Sequence, residues 1–289
     1  MKIALGTAQF GLNYGIANKK GQVDINSIES ILSYAWDMGV DTIDTAISYG
    51  SSEKRIGTAG VSNWKIVTKL PEIPDSCTDV STWVVDQVQD SMLRLNVNKI
   101  KGLILHNPNQ LLFGVGERLW EALQDLKRNN VVEKIGFSIY DPSELDKLYS
   151  SFSPDIVQST YNVLDHRLKT SGWLQRMNKD GVEVHVRSVF LQGLLLMKND
   201  ERPKQFNRWK KIWDEWDSWL SKQDYSAVEA CLAFVIKEPL VDKVIVGIDT
   251  MDHIREILSS VNVDIPEYPK DLCTNDIDLI NPSRWQISL

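Results

Sequence analysis

The chain has 289 residues, 43% of them hydrophobic and 25% charged, with a formal net charge of −7. A chain of this length can bury a large core without staples. Its acidic balance argues against nucleic-acid backbones and anionic membranes as partners.

Strand-like and helix-like segments alternate in chain order. IALGT, residues 3–7, is a short apolar run. Residues 27–38 follow at helical spacing, with Ile28, Ile31, Leu32, Ala35 and Trp36 on one face and Gly39 as the stop. DTID at 41–44 is the second strand, a short helix follows near 52–58, and KIVTK is the third strand. Residues 80–96 form an amphipathic helix through Val84, Val85, Val88, Met92 and Leu95. GLILH at 102–106 is the fourth strand, and 117–129 the next helix.

KIGFS at 134–138 is the fifth strand, and Asp141 with Pro142 opens a helix over 141–148. DIVQ at 155–158 is the sixth. A helix over about 169–179 leads to VEVHVRS at 182–188. A long helical region over about 208–236, KVIVG at 243–247 and a helix over about 251–260 complete the series. The tail 261–289, with Pro266 and Pro269, reads as extended chain packing over the surface.

Eight strands in strict alternation with helices imply parallel pairing through right-handed crossovers. At this length the pattern predicts one domain over 1–289, a closed (β/α)8 barrel of the TIM type. The first turn, GTAQFG, lacks the GxGxxG of an open dinucleotide sheet. Cys77, Cys231 and Cys273 are widely spaced and form no CxxC pair, so free thiols in a reducing cytoplasm are expected. No apolar stretch approaches the ~20 residues of a membrane span, and the opening lacks a signal-type apolar run. No histidine pair has metal-ligand spacing.

Asp44, Lys69 and His106 fall at the ends of strands two, three and four, and Tyr49 lies on the loop just beyond Asp44. In a barrel enzyme the working groups sit at these C-terminal strand ends. Singly, each has a plainer reading: a helix cap, a solvated strand end, a core imidazole, a turn tyrosine. Together they supply what carbonyl reduction needs besides a hydride. Tyr49 is the candidate general acid, Lys69 its activator, Asp44 the counter-ion that holds Lys69, and His106 a donor to the carbonyl oxygen.

These residues and their surroundings make the chain resemble the aldo-keto reductases. LGTAQFG is similar to the family's LGTxxFG opening, and DTAISYGSSEKRIG to its DTAxxYGxxExxLG block. GFSIY, VQSTYN and VIVGIDTMDHIREI resemble its later strand ends. The RSVFLQGLL stretch and NPSRW tail resemble a bacterial branch associated with surface-polysaccharide and nucleotide-sugar pathways.

The resemblance implies NADPH or NADH as cofactor and a small carbonyl compound as substrate. It implies cofactor contacts at Thr7, Ser138, Gln158, Ser188, Phe190, Gln192, Gly247 and Thr250, and substrate contacts at Phe10, Asn107 and Trp285. The alternative is a barrel that binds the dinucleotide with little turnover, as a sensor or accessory subunit.

Three positions depart from the family pattern. Ile139 stands where an Asn commonly contributes to the carboxamide site. Arg187 replaces the aromatic ring that usually stacks on nicotinamide, and can instead stack as a guanidinium plane or grip an anion. Asp249 lies where basic or hydroxyl residues often grip a 2′-phosphate. It would repel that phosphate and could bond a free 2′-hydroxyl, or it could serve as a helix N-cap. Trp209, Trp213, Trp216 and Trp219, in the helix 208–222, read as barrel packing, with an oligomer contact or substrate wall as the other possibilities.

Overall fold

A computed structural model describes residues 1–265 and 267–285. Eight strands close into an all-parallel barrel in sequence order: β1 Ile3–Gly6, β2 Thr42–Asp44, β3 Lys65–Leu70, β4 Ile100–Leu105, β5 Val132–Ser138, β6 Ile156–Thr160, β7 Glu183–Arg187 and β8 Lys243–Gly247. The ring is completed by β1 on β8, with Ala4 opposite Ile245 and Gly6 opposite Gly247. The (β/α)8 barrel expected from the alternation is the architecture observed.

Side chains alternate between the two faces of a strand. Ile43, Ile66, Leu103, Phe137, Val157, Val184 and Val246 face the helices and build the main core with Ile28, Val84, Leu119 and Leu123. The opposite parity faces the barrel axis. There Val67, Ile104 and Ile156 form a separate small cluster. Gly102 leaves room for it, since an added Cβ would meet Val67 Cγ1 at 3.3 Å and Ile156 Cδ1 at 3.6 Å.

The N-terminal end of the barrel carries ion pairs. Asp41 binds Lys65 at 2.6 Å and Lys243 at 2.8 Å, and Glu183 binds Lys134 and, at 2.8 Å, His185 Nε2. Charge at this end closes the barrel, and the C-terminal end is left for chemistry.

Helix boundaries differ from the sequence expectation at three places. The region 208–236 is two helices, Lys210–Gln223 and Ala227–Ile236. Asp224 at φ 57° ends the first, and a Ser226–Glu229 capping box starts the second. The 169–179 segment is broken likewise at Gly172, φ 82°, into Arg167–Thr170 and Trp173–Lys179. The helix after β5 starts only at Glu144. Asp141 accepts instead from the Ser143 amide and pairs with Arg167 at 2.6 Å.

The tail is not simply extended. Asp276 and Asn281 each cap a short turn, at Ile277–Ile280 and Pro282–Arg284. It docks through Thr274 N to Leu164 O at 2.9 Å and Trp209 Nε1 to Asp276 Oδ2 at 2.8 Å. Residues 286–289 and Pro266 lie outside the described residues.

The four indoles of the Trp-rich segment pack within the chain. Trp213 and Trp216 are buried and donate to Phe206 O and Leu195 O. Trp219 stacks on Trp216 with ring centres 5.6 Å apart.

Strand contact sets one sharp steric limit. A Cβ on Gly136 would lie 1.7 Å from the Ile156 carbonyl oxygen, whereas one on Gly114 would meet nothing within 4 Å. Gly136→Ala is expected to cost roughly 1–3 kcal/mol, and Gly114→Ala to stay within about 0.5 kcal/mol. Urea midpoints of the two variants check this; equal stability would contradict the strand spacing described.

Candidate active site

The axis-facing parity places Asp44, Lys69, Ser138, Gln158 and Arg187 together at the C-terminal mouth, and His106 follows β4. Lys69 Nζ donates to Asp44 Oδ1 at 2.6 Å and to Thr45 O at 2.9 Å, and its side chain is 1% exposed. Gln158 Nε2 donates to Asp44 Oδ2 at 2.7 Å, so both carboxylate oxygens are used. Lys69 Nζ lies 5.2 Å from the Tyr49 ring centre. The His106 ring stands edge-on to Tyr49 at 5.8 Å and 79°. Its Nδ1 is 3.1 Å from Ser48 Oγ.

Two glycines set the Tyr49 turn. The helix Ala8–Gly11 approaches so closely that a Cβ on Gly11 would meet Tyr49 O at 1.8 Å, and Gly50 takes φ 56°. The following helix, Ser52–Ala59, is anchored by Ser52 Oγ to Thr7 O at 2.9 Å. Glu53, also on it, binds Thr68, Ser91 and Arg94. Most of the SYGSSEKRIG block therefore serves to hold one turn, and with it one phenol.

These side chains line one end of a cavity of about 730 Å³. From there it runs past Ser188, Phe190 and Gln192 to Gly247 and Asp249. Two loops meet at it. Gln192 Nε2 lies 3.2 Å from Tyr14 Oη, and a Cβ on Gly193 would meet Ala17 Cβ at 2.5 Å. The loop after β7 is locally strained, with Ser188, Leu191 and Gln192 at φ 60°, 49° and 54°.

A family model described as Aldo/keto reductase family matches residues 2–274. The chain belongs to the aldo/keto reductase family. It is similar to a D-threo-aldose 1-dehydrogenase from a Pseudomonas species, at 24% identity over 286 residues, covering 84% of this chain and 87% of that protein. Among solved structures it is similar in fold to the aldo-keto reductase AKR11C1 from Bacillus halodurans in its holo form. That match has a TM-score of 0.72 at 18% identity and covers 94% of this chain and 89% of the other. As a family member the protein is an NAD(P)H-dependent oxidoreductase acting on carbonyl compounds. None of its described helices is long and apolar enough to cross a membrane.

The cavity of this aldo/keto reductase suits a nicotinamide dinucleotide. Gln158 Oε1 is buried with no partner among the described residues, while its Nε2 is fixed on Asp44. That leaves an acceptor ready for an amide N–H. Asp249 Oδ1 is a second buried acceptor without a partner among the described residues. Thr7, Ser138, Gln158, Arg187, Ser188, Phe190, Gln192, Gly247 and Asp249 all line the cavity.

Four candidates fall elsewhere. Thr250 is the N-cap of the helix Met251–Ser259, accepting from His253 N at 3.2 Å. Phe10 is fully buried, because the short helix Ala8–Gly11 turns it into the core. Asn107 caps the turn Pro108–Leu112 and binds Glu72. Trp285 packs edge-on against Phe206 at 4.9 Å, its Nε1 on Asp278 O, away from the cavity lining. Ile139 is buried and contributes only its carbonyl, which accepts from Arg187 Nη2 at 3.1 Å.

Ser48 beside His106, Tyr140 beneath Arg187, Tyr14 against Gln192 and Glu256 on the helix Met251–Ser259 also line the cavity and lie outside the sequence expectation. Arg187 Cζ lies 4.0 Å from the Tyr140 ring centre. Ser48 and Tyr140 sit beside recognised strand ends, which was the available signal. Tyr14 carried none.

The electrostatics depart from the simple activation of Tyr49 by Lys69. Burial pushes the phenol well above its ordinary range, the Asp44 carboxylate adds to this, and Arg187 opposes it. Lys69 itself is lowered by burial, with Asp44 pulling the other way. Its charge is spent mainly on Asp44. His106 is depressed to about 4, by burial first and then by Lys69 and Arg187. The imidazole is therefore neutral at neutral pH. A Ser48 hydroxyl donating to Nδ1 would leave the proton on Nε2.

Because the folded pKa of His106 is below its ordinary 6.5, the unfolded chain takes up this proton first as pH falls. The folded state loses stability from about 6.5 down to about 4 on this account. His106→Gln should therefore show a smaller fall in melting temperature between neutral and acid pH than the unmodified protein. An identical fall in both would show that His106 is not depressed.

Proposed function

We propose that the protein reduces the carbonyl group of a small hydroxylated substrate, with Tyr49 as the proton donor. The observation that carries this reading is the convergence of Tyr49, Lys69, Asp44 and His106 on one end of a cavity that also presents the free Gln158 Oε1. Bound reduced nicotinamide dinucleotide supplies hydride to the carbonyl carbon, and the protein's task is then to deliver a proton to the oxygen.

A buried phenol with a raised pKa is fully protonated at neutral pH and so is ready to donate. The negative charge left on it after transfer is opposed by Asp44 and stabilised by Arg187 and by the Lys69 ammonium near its ring. Neutral His106 donates from Nε2 to the substrate oxygen, fixing the carbonyl before the proton moves. A neutral donor here adds no competing strong acid.

Ser48, Tyr14, Tyr140 and Arg187 give this part of the cavity hydroxyls and a guanidinium. Such a lining suits an aldose-like or other hydroxyl-bearing carbonyl compound better than a plain hydrocarbon aldehyde. The similarity to an aldose dehydrogenase points the same way.

Tyr49→Phe should lower carbonyl reduction by a factor on the order of 10² or more, with nucleotide binding retained. Steady-state rates on a panel of aldoses and simple aldehydes, with binding followed by tryptophan fluorescence, make the test. A variant that binds nucleotide and keeps most of its turnover would remove Tyr49 from the role.

A further inference from the structure

The strand-eight end of the cavity carries carboxylates. Asp249 and Glu256 both line it, together with His253. Asp249 Oδ1 is buried without a partner among the described residues, and Oδ2 faces His253 Nδ1 at 3.9 Å. A carboxylate just ahead of a helix is commonly spent as its N-cap. Here Thr250 does that work, which leaves Asp249 free for the cavity.

The cations nearby are poorly placed to offset these carboxylates. Arg255 pairs with Asp252 at 3.4 Å, lies over the Tyr34 ring at 5.9 Å and is absent from the cavity lining. Lys20, on the loop after β1, is exposed, and its positive field reaches Asp249 without an ion pair among the described residues. His253 is half exposed.

We infer that this end of the cavity selects the dinucleotide with a free ribose 2′-hydroxyl, NADH or NAD⁺, over its 2′-phosphorylated counterpart, with Asp249 as the discriminating residue. The inference rests on the dinucleotide reading of the cavity. A free hydroxyl can donate to the unpartnered Oδ1. A phosphate monoester carries about −1.5 to −2 charge at neutral pH. Beside Asp249 and Glu256 that charge is repelled, in a partly enclosed site where screening is weak.

The test uses the full chain without substrate. NADH and NADPH are titrated at one low ionic strength, following tryptophan quenching and nicotinamide emission. The unmodified protein should bind NADH tighter by about tenfold or more. Asp249→Ser and Asp249→Asn should bring the two constants to within about threefold, chiefly by improving NADPH. Glu256→Gln, at an exposed position, should narrow the gap part of the way. Added salt should narrow it in the unmodified protein and hardly change it in Asp249→Ser.

Equal or tighter binding of NADPH by the unmodified protein overturns the inference. If Lys20→Gln then abolishes that NADPH binding, the loop lysine is the reader instead. Binding of neither nucleotide removes the dinucleotide reading of the cavity, and this inference with it. Loss of turnover with binding intact bears only on the role of Tyr49.

Discussion

A lysine and an aspartate share the dry mouth of the barrel, and the rest of the site is arranged around them. Lys69 and Asp44 are 1% and 5% exposed and 2.6 Å apart. Two charges in such a place are tolerable only with good geometry and every remaining polar atom satisfied. Thr45 O takes a second Lys69 proton and Gln158 takes the second Asp44 oxygen. Removing one partner strands the other as a buried charge, a loss of ~3–5 kcal/mol in comparable pairs. The pair and its Gln158 contact therefore tie β2, β3 and β6 together at the mouth.

That constraint shapes what the tyrosine above it experiences. The phenol's hold on its proton is raised by burial first and then by the Asp44 carboxylate, with Arg187 opposing. The free protein thus keeps Tyr49 protonated, a state suited to donating a proton and unsuited to removing one. His106 is biased the opposite way, toward neutrality, by burial and the two cations. Neighbouring groups with pKa values driven apart suit distinct roles, and the proposed mechanism assigns the acid to Tyr49 and the hydrogen-bond donor to His106.

Strand positions were legible in the sequence because each is a short apolar run ended by a polar or small residue. The positions of Asp44, Lys69 and His106 at the mouth followed from that. The helix breaks at Gly172 and Asp224 were not legible, since apolar periodicity continues across both while the backbone turns left-handed. Asp249 and Thr250 are adjacent cap-type residues, and sequence could not say which one closes the helix. The family resemblance implied a substrate contact at Phe10, but one turn of helix rotates it inward. Tyr14 reaches the cavity only through the fold of a loop, and no periodicity encodes that.

The alternation of side chains along each strand has a further consequence. Asp44, Lys69, Gln158 and Arg187 share one parity with the lumen residues Val67, Ile104 and Ile156, and the helix-facing core occupies the other. Chemistry and packing are thus interleaved one residue apart in the same segments. A single-residue insertion or deletion inside β3 would exchange the two sets, sending the ammonium toward the helices and an apolar chain into the mouth. Length changes in the loops carry no such penalty. Drift in this protein is therefore expected to accumulate as substitutions within strands and as length variation between them, so that new substrates would be explored by remodelling the rim above a frame whose reading register cannot move.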